Sequence, residues 1–226
     1  NDITGTNAFN IMKSDGAVVI DGFTVSAGYA DGDVNVSKYG GGILRSPKGP
    51  ANRIFSNNHW IGNYAQYRGG AMDKCNGTIT DSVFSNNRSD LYGGAILAND
   101  ILDLSNVSFI NNFSDNHGGA IYAVDLVIDR GYFAGNKSNE YGGVVFVDGE
   151  LIASNSLFSG NFSGEFGGAI YMSSRGQGFI NNVSFSGNEA TEEGGAFYSH
   201  GAVYVSNSVL WNNKDNSGIG TITAGG

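Results

Sequence analysis

Short runs of alternating apolar and polar residues recur along the chain, and none keeps a helical period. Leu102-x-Leu104 is followed by Val107-x-Phe109, Leu126-x-Ile128 by Tyr132-Phe133, and Val203-x-Val205 by Val209. A period of two turns one side of a strand inward and the other outward. Each run is about four or five residues long. A strand that short cannot bury itself, so each run must stack against copies of itself.

Two motifs mark the copies. A glycine pair followed by a small and an apolar residue begins at Gly40, Gly69, Gly93, Gly118, Gly142, Gly167 and Gly194, at spacings of 29, 24, 25, 24, 25 and 27 residues. A Phe-x-x-Asn motif keeps pace at Phe55/Asn58, Phe84/Asn87, Phe109/Asn112, Phe133/Asn136, Phe158/Asn161 and Phe185/Asn188, with degenerate copies at Phe23 and Leu210/Asn213. In five consecutive copies, Phe84 to Phe185, the phenylalanine stands nine residues before its glycine pair. Repeats of about 25 residues with this texture predict an all-β chain, a right-handed parallel β-helix of about eight coils with three short strands each. The whole chain, 1–226, reads as one such domain. Phe84, Phe109, Phe133, Phe158 and Phe185 then form an internal column. Asn87, Asn112, Asn136, Asn161 and Asn188 form a ladder in which each amide bonds the next coil.

The two motifs resemble the GGAI and FxxN repeats of the chlamydial polymorphic outer membrane proteins and related bacterial surface β-helix proteins. The resemblance covers roughly Phe23 to Asn213. It implies the passenger region of a secreted or autotransported protein, often an adhesin. It supplies no catalytic residues.

Where a repeat departs from its consensus, function is to be sought. Phe23 and Gly40 are 17 residues apart, which places a loop insertion near 27–38. There Asp31, Asp33 and Asn35 put oxygen donors at alternate positions, a spacing that suits Ca²⁺. The run lacks the later bidentate glutamate, and a plain acidic turn accounts for it as well. No other cofactor is expected. Phe55 and Gly69 are 14 apart, which places a second insertion at 59–68. Its His59, Trp60, Tyr64, Tyr67 and Arg68 are candidate ligand-binding residues, because flat aromatics beside an arginine suit a sugar face or another protein. Glu140, Glu165 and Glu192 recur two positions before the glycine pair. One position later Tyr92, His117, Tyr141 and Phe166 form an outer aromatic series.

Composition narrows the partners. The chain has 36 Gly and only 2 Pro, which fits many tight turns rather than disorder. Its formal net charge of −9 disfavours nucleic acid and anionic membrane surfaces. No apolar run approaches the roughly 18 residues of a membrane span, so no membrane insertion by this chain is expected. The single cysteine, Cys75, rules out an intrachain disulfide.

The expected function is that of an extracellular, non-enzymatic protein at the cell surface. It is either an adhesin-like passenger binding a host or cell-surface protein or glycan, or a filament subunit that stacks end to end on itself. The latter follows from the lack of an amphipathic capping helix. The competing expectation is a carbohydrate-active enzyme, a polysaccharide lyase or glycosidase, since such enzymes use β-helices. Against it, Arg53, Arg68, Arg88, Arg130 and Arg175 recur at no common motif position.

Overall fold

The computed structural model describes residues 2–4, 12–14, 17–31, 38–45, 53–173, 176–216 and 222–224. Among them all regular structure is β, and no helix is long and apolar enough to cross a membrane. Each strand pairs in parallel with its counterpart one coil away, so the chain is a parallel β-solenoid.

Three faces carry the stacked strands. The glycine-pair face includes Met72–Asp73, Val145–Val147, Ile170–Met172 and Phe197–Ser199. An aliphatic face includes Arg53–Ser56, Gly77–Thr80 and Val203–Ser206. The phenylalanine face includes Thr24–Ser26, His59–Ile61, Val83–Ser85 and Val209–Trp211. Ile96–Ile110 and Ile121–Ala134 run through all three without a break. Each coil also holds a fourth strand of two residues, such as Arg88–Ser89 or Phe113–Ser114, not foreseen from sequence. These form a seven-stranded sheet. Its seven rungs bound about six turns, fewer than the eight coils expected. The eight anchors count rungs, and those at the ends belong to incomplete coils.

The register stacks like on like. Phe84 lies beside Phe109, then Phe133, Phe158 and Phe185. Neighbouring ring centres are 4.6, 5.5, 4.4 and 5.0 Å apart, with planes within 14° of parallel. Offset aromatic stacks of this kind add to the burial energy of the rings.

Below Phe84 the register differs from the expectation. Trp60, not Phe55, is the partner of Phe84. Its indole stacks 6.0 Å from the Phe84 ring and is fully buried. Trp60 itself lies beside Val25, not Phe23. Phe55 belongs to the aliphatic face, between Ile20 and Ile79. Residues 59–68 are therefore an ordinary coil and not an insertion, for Trp60 stands nine residues before Gly69 as each later phenylalanine does before its pair. From Val25 to Gly40 the distance is 15 residues, and from Ile43 to Ile54 it is 11 where Met72 to Thr78 takes six, so the extra length lies on both sides of the first glycine pair.

The asparagine ladder runs through Asn63, Asn87, Asn112, Asn136, Asn161, Asn188 and Asn213. Asn58 lies outside it. Each Nδ2 from Asn63 to Asn188 donates to Oδ1 of the next at 2.8–3.1 Å. Its second proton goes to the carbonyl of the column residue one coil back, as from Asn112 to Phe84 at 3.0 Å. The backbone N–H also donates to that next Oδ1. All side-chain polar groups of an interior rung are thereby satisfied, which lets amides sit buried beside a phenylalanine column.

The glycine pairs answer two separate demands. The first glycine is left-handed, as at Gly93 (φ 60°) and Gly118 (φ 65°). The second lies against the neighbouring coil: a Cβ on Gly94 would meet the carbonyl oxygens of Gly119 and Phe113. Only glycine fits both, which is why the pair recurs.

Candidate binding site

Outside the glycine-pair face the strands carry a second apolar cluster, separate from the core. Tyr122, Phe146, Tyr171 and Tyr198 stack in register, with ring centres 4.8, 5.0 and 5.5 Å apart. Tyr92, His117, Tyr141 and Phe166 form a parallel row that covers them. His117 stacks on Tyr141 at 4.6 Å and on Phe146 at 5.1 Å. Burial between these rings lowers the His117 pKa to about 4, so the ring is a neutral filler at pH 7.

One rung of this spine is not aromatic. In the row of Tyr92, the preceding rung is Arg68, and beyond it Tyr39. In the row of Tyr122, Leu97 is followed by Asp73. Arg68 Nε lies 2.9 Å from Asp73 Oδ1, and the Asp73 side chain is 1% exposed. Burial raises the Asp73 pKa to about 6, opposed by the attraction of Arg68 and Lys74. The guanidinium lies over the Tyr39 ring, 4.6 Å from its centre. Tyr39 packs on Tyr67 at 5.4 Å, and Lys38 Nζ lies 5.1 Å from the Tyr67 ring centre. Tyr39, Tyr67, Arg68, Leu91 and Tyr92 line an open concavity of about 480 Å³.

The five candidate ligand-binding residues do not converge. Tyr67 and Arg68 share this concavity. Tyr64 lies in another, with Tyr29, Arg88 and Asp90. Its hydroxyl donates to Asp90 Oδ2 at 2.6 Å, and burial together with that carboxylate raises its pKa. Trp60 is in the core and cannot meet a ligand, because alternation along His59–Ile61 turns it inward. The same alternation leaves His59 exposed on the phenylalanine face. Asp73 and Tyr39 were not candidates. The signal for Asp73 was its place, one residue after the apolar residue of the glycine motif, where later copies carry Leu97, Tyr122 and Phe146.

Of the calcium candidates, Asp31 is exposed, while Asp33 and Asn35 lie outside the described residues. Among the described residues no group of three or more His, Cys, Asp or Glu converges as metal ligands do. Glu140, Glu165 and Glu192 do stack: the Glu165 N–H donates to the Glu140 carbonyl at 2.9 Å and the Glu192 N–H to the Glu165 carbonyl at 2.8 Å. Burial first, and then Glu165, raises the Glu140 pKa.

Fold and site together define a solenoid repeat protein with a cationic, tyrosine-lined concavity on one flank. Four segments, 81–99, 106–124, 155–173 and 182–200, match the Chlamydia polymorphic membrane protein repeat. Each begins at a left-handed corner (Asp81, Asn106, Asn155 or Asn182) and ends just past the glycine-pair strand. The coil between them places Arg130 at that corner and Val144 at the alanine position. Neither a curated protein nor a solved structure matches the chain.

Proposed function

We propose that this chain is a non-enzymatic, adhesin-like part of a surface-displayed passenger, a rigid rod that presents the Arg68 concavity to a partner on another cell. The observation that carries the reading is the one rung at which the aromatic spine gives way to a buried ion pair facing a tyrosine-lined concavity. Repeat positions serve stacking; a position that abandons the stacking residue at some cost is where a solenoid acquires binding. The match to the membrane-protein repeat supports a location at the cell surface.

Three measurements test this. Antibody raised to the chain should label intact cells of the source organism without permeabilisation; labelling only after permeabilisation overturns the location. Beads coated with the protein should adhere to epithelial cells above albumin-coated beads, and equal adherence overturns the adhesin role. Incubation with polygalacturonate or other polysaccharides should release no reducing ends; sustained release would favour the enzyme instead.

A second reading rests on a separate feature. The last full coil described leaves Val209 and Trp211 58% and 71% exposed, and Tyr204 57%. Alternation turns Val209 and Trp211 outward on either side of Leu210, and an outward apolar patch suits contact with a second copy. Negative-stain microscopy should then show fibres longer than one rod, and dispersed short rods would reject the filament.

A further inference from the structure

The ion pair at Arg68 and Asp73 is a poor choice for stability alone. Desolvation offsets most of the attraction in a buried pair, and rings at this rung would pack as they do at Tyr92 and Tyr122. What the pair supplies is a guanidinium of fixed orientation. Asp73 Oδ1 pairs ionically with Nε at 2.9 Å, and the flat side of the group lies over the Tyr39 ring. Arg68 lines the concavity with its side chain 28% exposed, which leaves the guanidinium open to a ligand there. A guanidinium fork matches a planar carboxylate with two parallel hydrogen bonds.

The surroundings define the rest of the ligand. The chain carries a net charge of −9, yet the side chains packed about this concavity include Arg68 and Lys38 as cations, with Asp73 as the buried counter-charge. Tyr39, Tyr67 and Tyr92 line it, three side chains that each join an apolar ring to a hydroxyl. A volume of about 480 Å³ falls within the range of small-molecule sites. Carboxylate, ring face and hydroxyls occur together in an acidic sugar.

We propose that the concavity lined by Tyr39, Tyr67, Arg68 and Tyr92 binds a carboxylate-bearing sugar residue, with the Arg68 fork on the carboxylate and a tyrosine ring against the sugar face. This rests on the adhesin reading and gives its partner a chemistry. The test is calorimetric titration of the intact chain with three probes: a glucuronate-containing hyaluronate tetrasaccharide, sialyllactose, and neutral lactose. At least one acidic probe should bind saturably and at least tenfold more tightly than lactose, and which one does so separates uronate from sialate. Arg68→Gln should weaken binding at least tenfold, and Arg68→Lys by less, since it keeps charge and loses the fork. Arg68→Gln leaves Asp73 buried without its partner, so Tyr67→Ala, which keeps the Arg68–Asp73 pair, serves as the second variant and should also weaken binding. Equal binding of lactose, unchanged binding in Arg68→Gln and Tyr67→Ala, or no saturable binding of either acidic probe overturns the proposal. If bead adherence persists while acidic sugars fail to bind, the sugar chemistry falls and the adhesin reading stands.

Discussion

Asn136 donates its Nδ2–H to Oδ1 of Asn161 at 3.1 Å, and its backbone N–H to the same atom at 2.9 Å. Its own Oδ1 accepts the equivalent pair from Asn112. One side chain thus closes hydrogen bonds on both sides of its coil. Replacing it with leucine strands the Asn112 donors and the Asn161 acceptor inside the core. With each orphaned buried group costing about 1–3 kcal/mol, Asn136→Leu should destabilise by about 3 kcal/mol or more. Ser206→Ala, at an exposed hydrogen bond, should stay within about 0.5 kcal/mol. Urea unfolding monitored by circular dichroism compares them.

Trp60 is a column residue, and its substitutions should behave accordingly. Trp60→Ala opens a large cavity and should cost about 3–5 kcal/mol. Trp60→Phe extends the phenylalanine stack and removes a buried Nε1 that has no hydrogen-bond partner; it should cost less than about 1.5 kcal/mol. Binding of an acidic sugar to Trp60→Phe should equal wild type, measured by the same titration.

The two kinds of glycine separate by substitution. A Cβ on Gly160 (φ 62°) meets nothing within 4 Å, so Gly160→Ala pays only the left-handed backbone, about 1–2 kcal/mol. At Gly94 the added carbon meets backbone carbonyls that cannot move without parting two coils. Gly94→Ala should cost about 3 kcal/mol or more, read by thermal unfolding.

Two buried groups tilt stability with pH in opposite directions. The fold holds the Asp73 pKa up, at about 6 against 3.8. Between those values the folded chain binds more protons than the unfolded one, so this contribution to stability falls as pH rises through about 6. Asp73→Asn should remove that slope. His117 is held down, at about 4 against 6.5. There the folded chain binds fewer protons, so its contribution falls as pH drops through the window from 6.5 to about 4. His117→Gln should flatten that limb. Unfolding free energies of wild type and both variants across pH 4 to 7 check the signs. The same titration of Asp73 frees Arg68 of its counter-charge, so acidic-sugar affinity should rise as pH falls through about 6.

The regular middle of the solenoid was legible because its columns are made of one residue type. Phe84 to Phe185 and Asn87 to Asn188 fall where spacing put them, and the glycine pairs mark the close approach between coils. The first coils misled because Phe55-x-x-Asn58 spells the motif by coincidence. Phe55 is an aliphatic-face residue, and Asn58 donates to the Ile20 carbonyl instead of joining the ladder. Trp60-x-x-Asn63 carries the true phase with a different aromatic. The nine-residue distance to Gly69 was the better guide, because coil length is fixed by backbone stacking while a buried column accepts any flat ring. The two-residue strands were too short to show a period. The concavity was only half legible: Tyr67 and Arg68 are neighbours in sequence, but Tyr39, Asp73 and Tyr92 reach them by stacking from other parts of the coils.

Register at Trp60 decides the placement of Arg68, Asp73 and the concavity, and a disulfide can read it. Ile61 lies beside Ser85, at a neighbouring-strand spacing within the range that disulfides span. In a Cys75→Ala background, Ile61→Cys with Ser85→Cys should oxidise to a bridged species seen by mass spectrometry, while Ser56→Cys with Ser85→Cys should stay reduced. Bridging of the 56/85 pair with none at 61/85 would put Phe55 beneath Phe84 and dissolve the concavity.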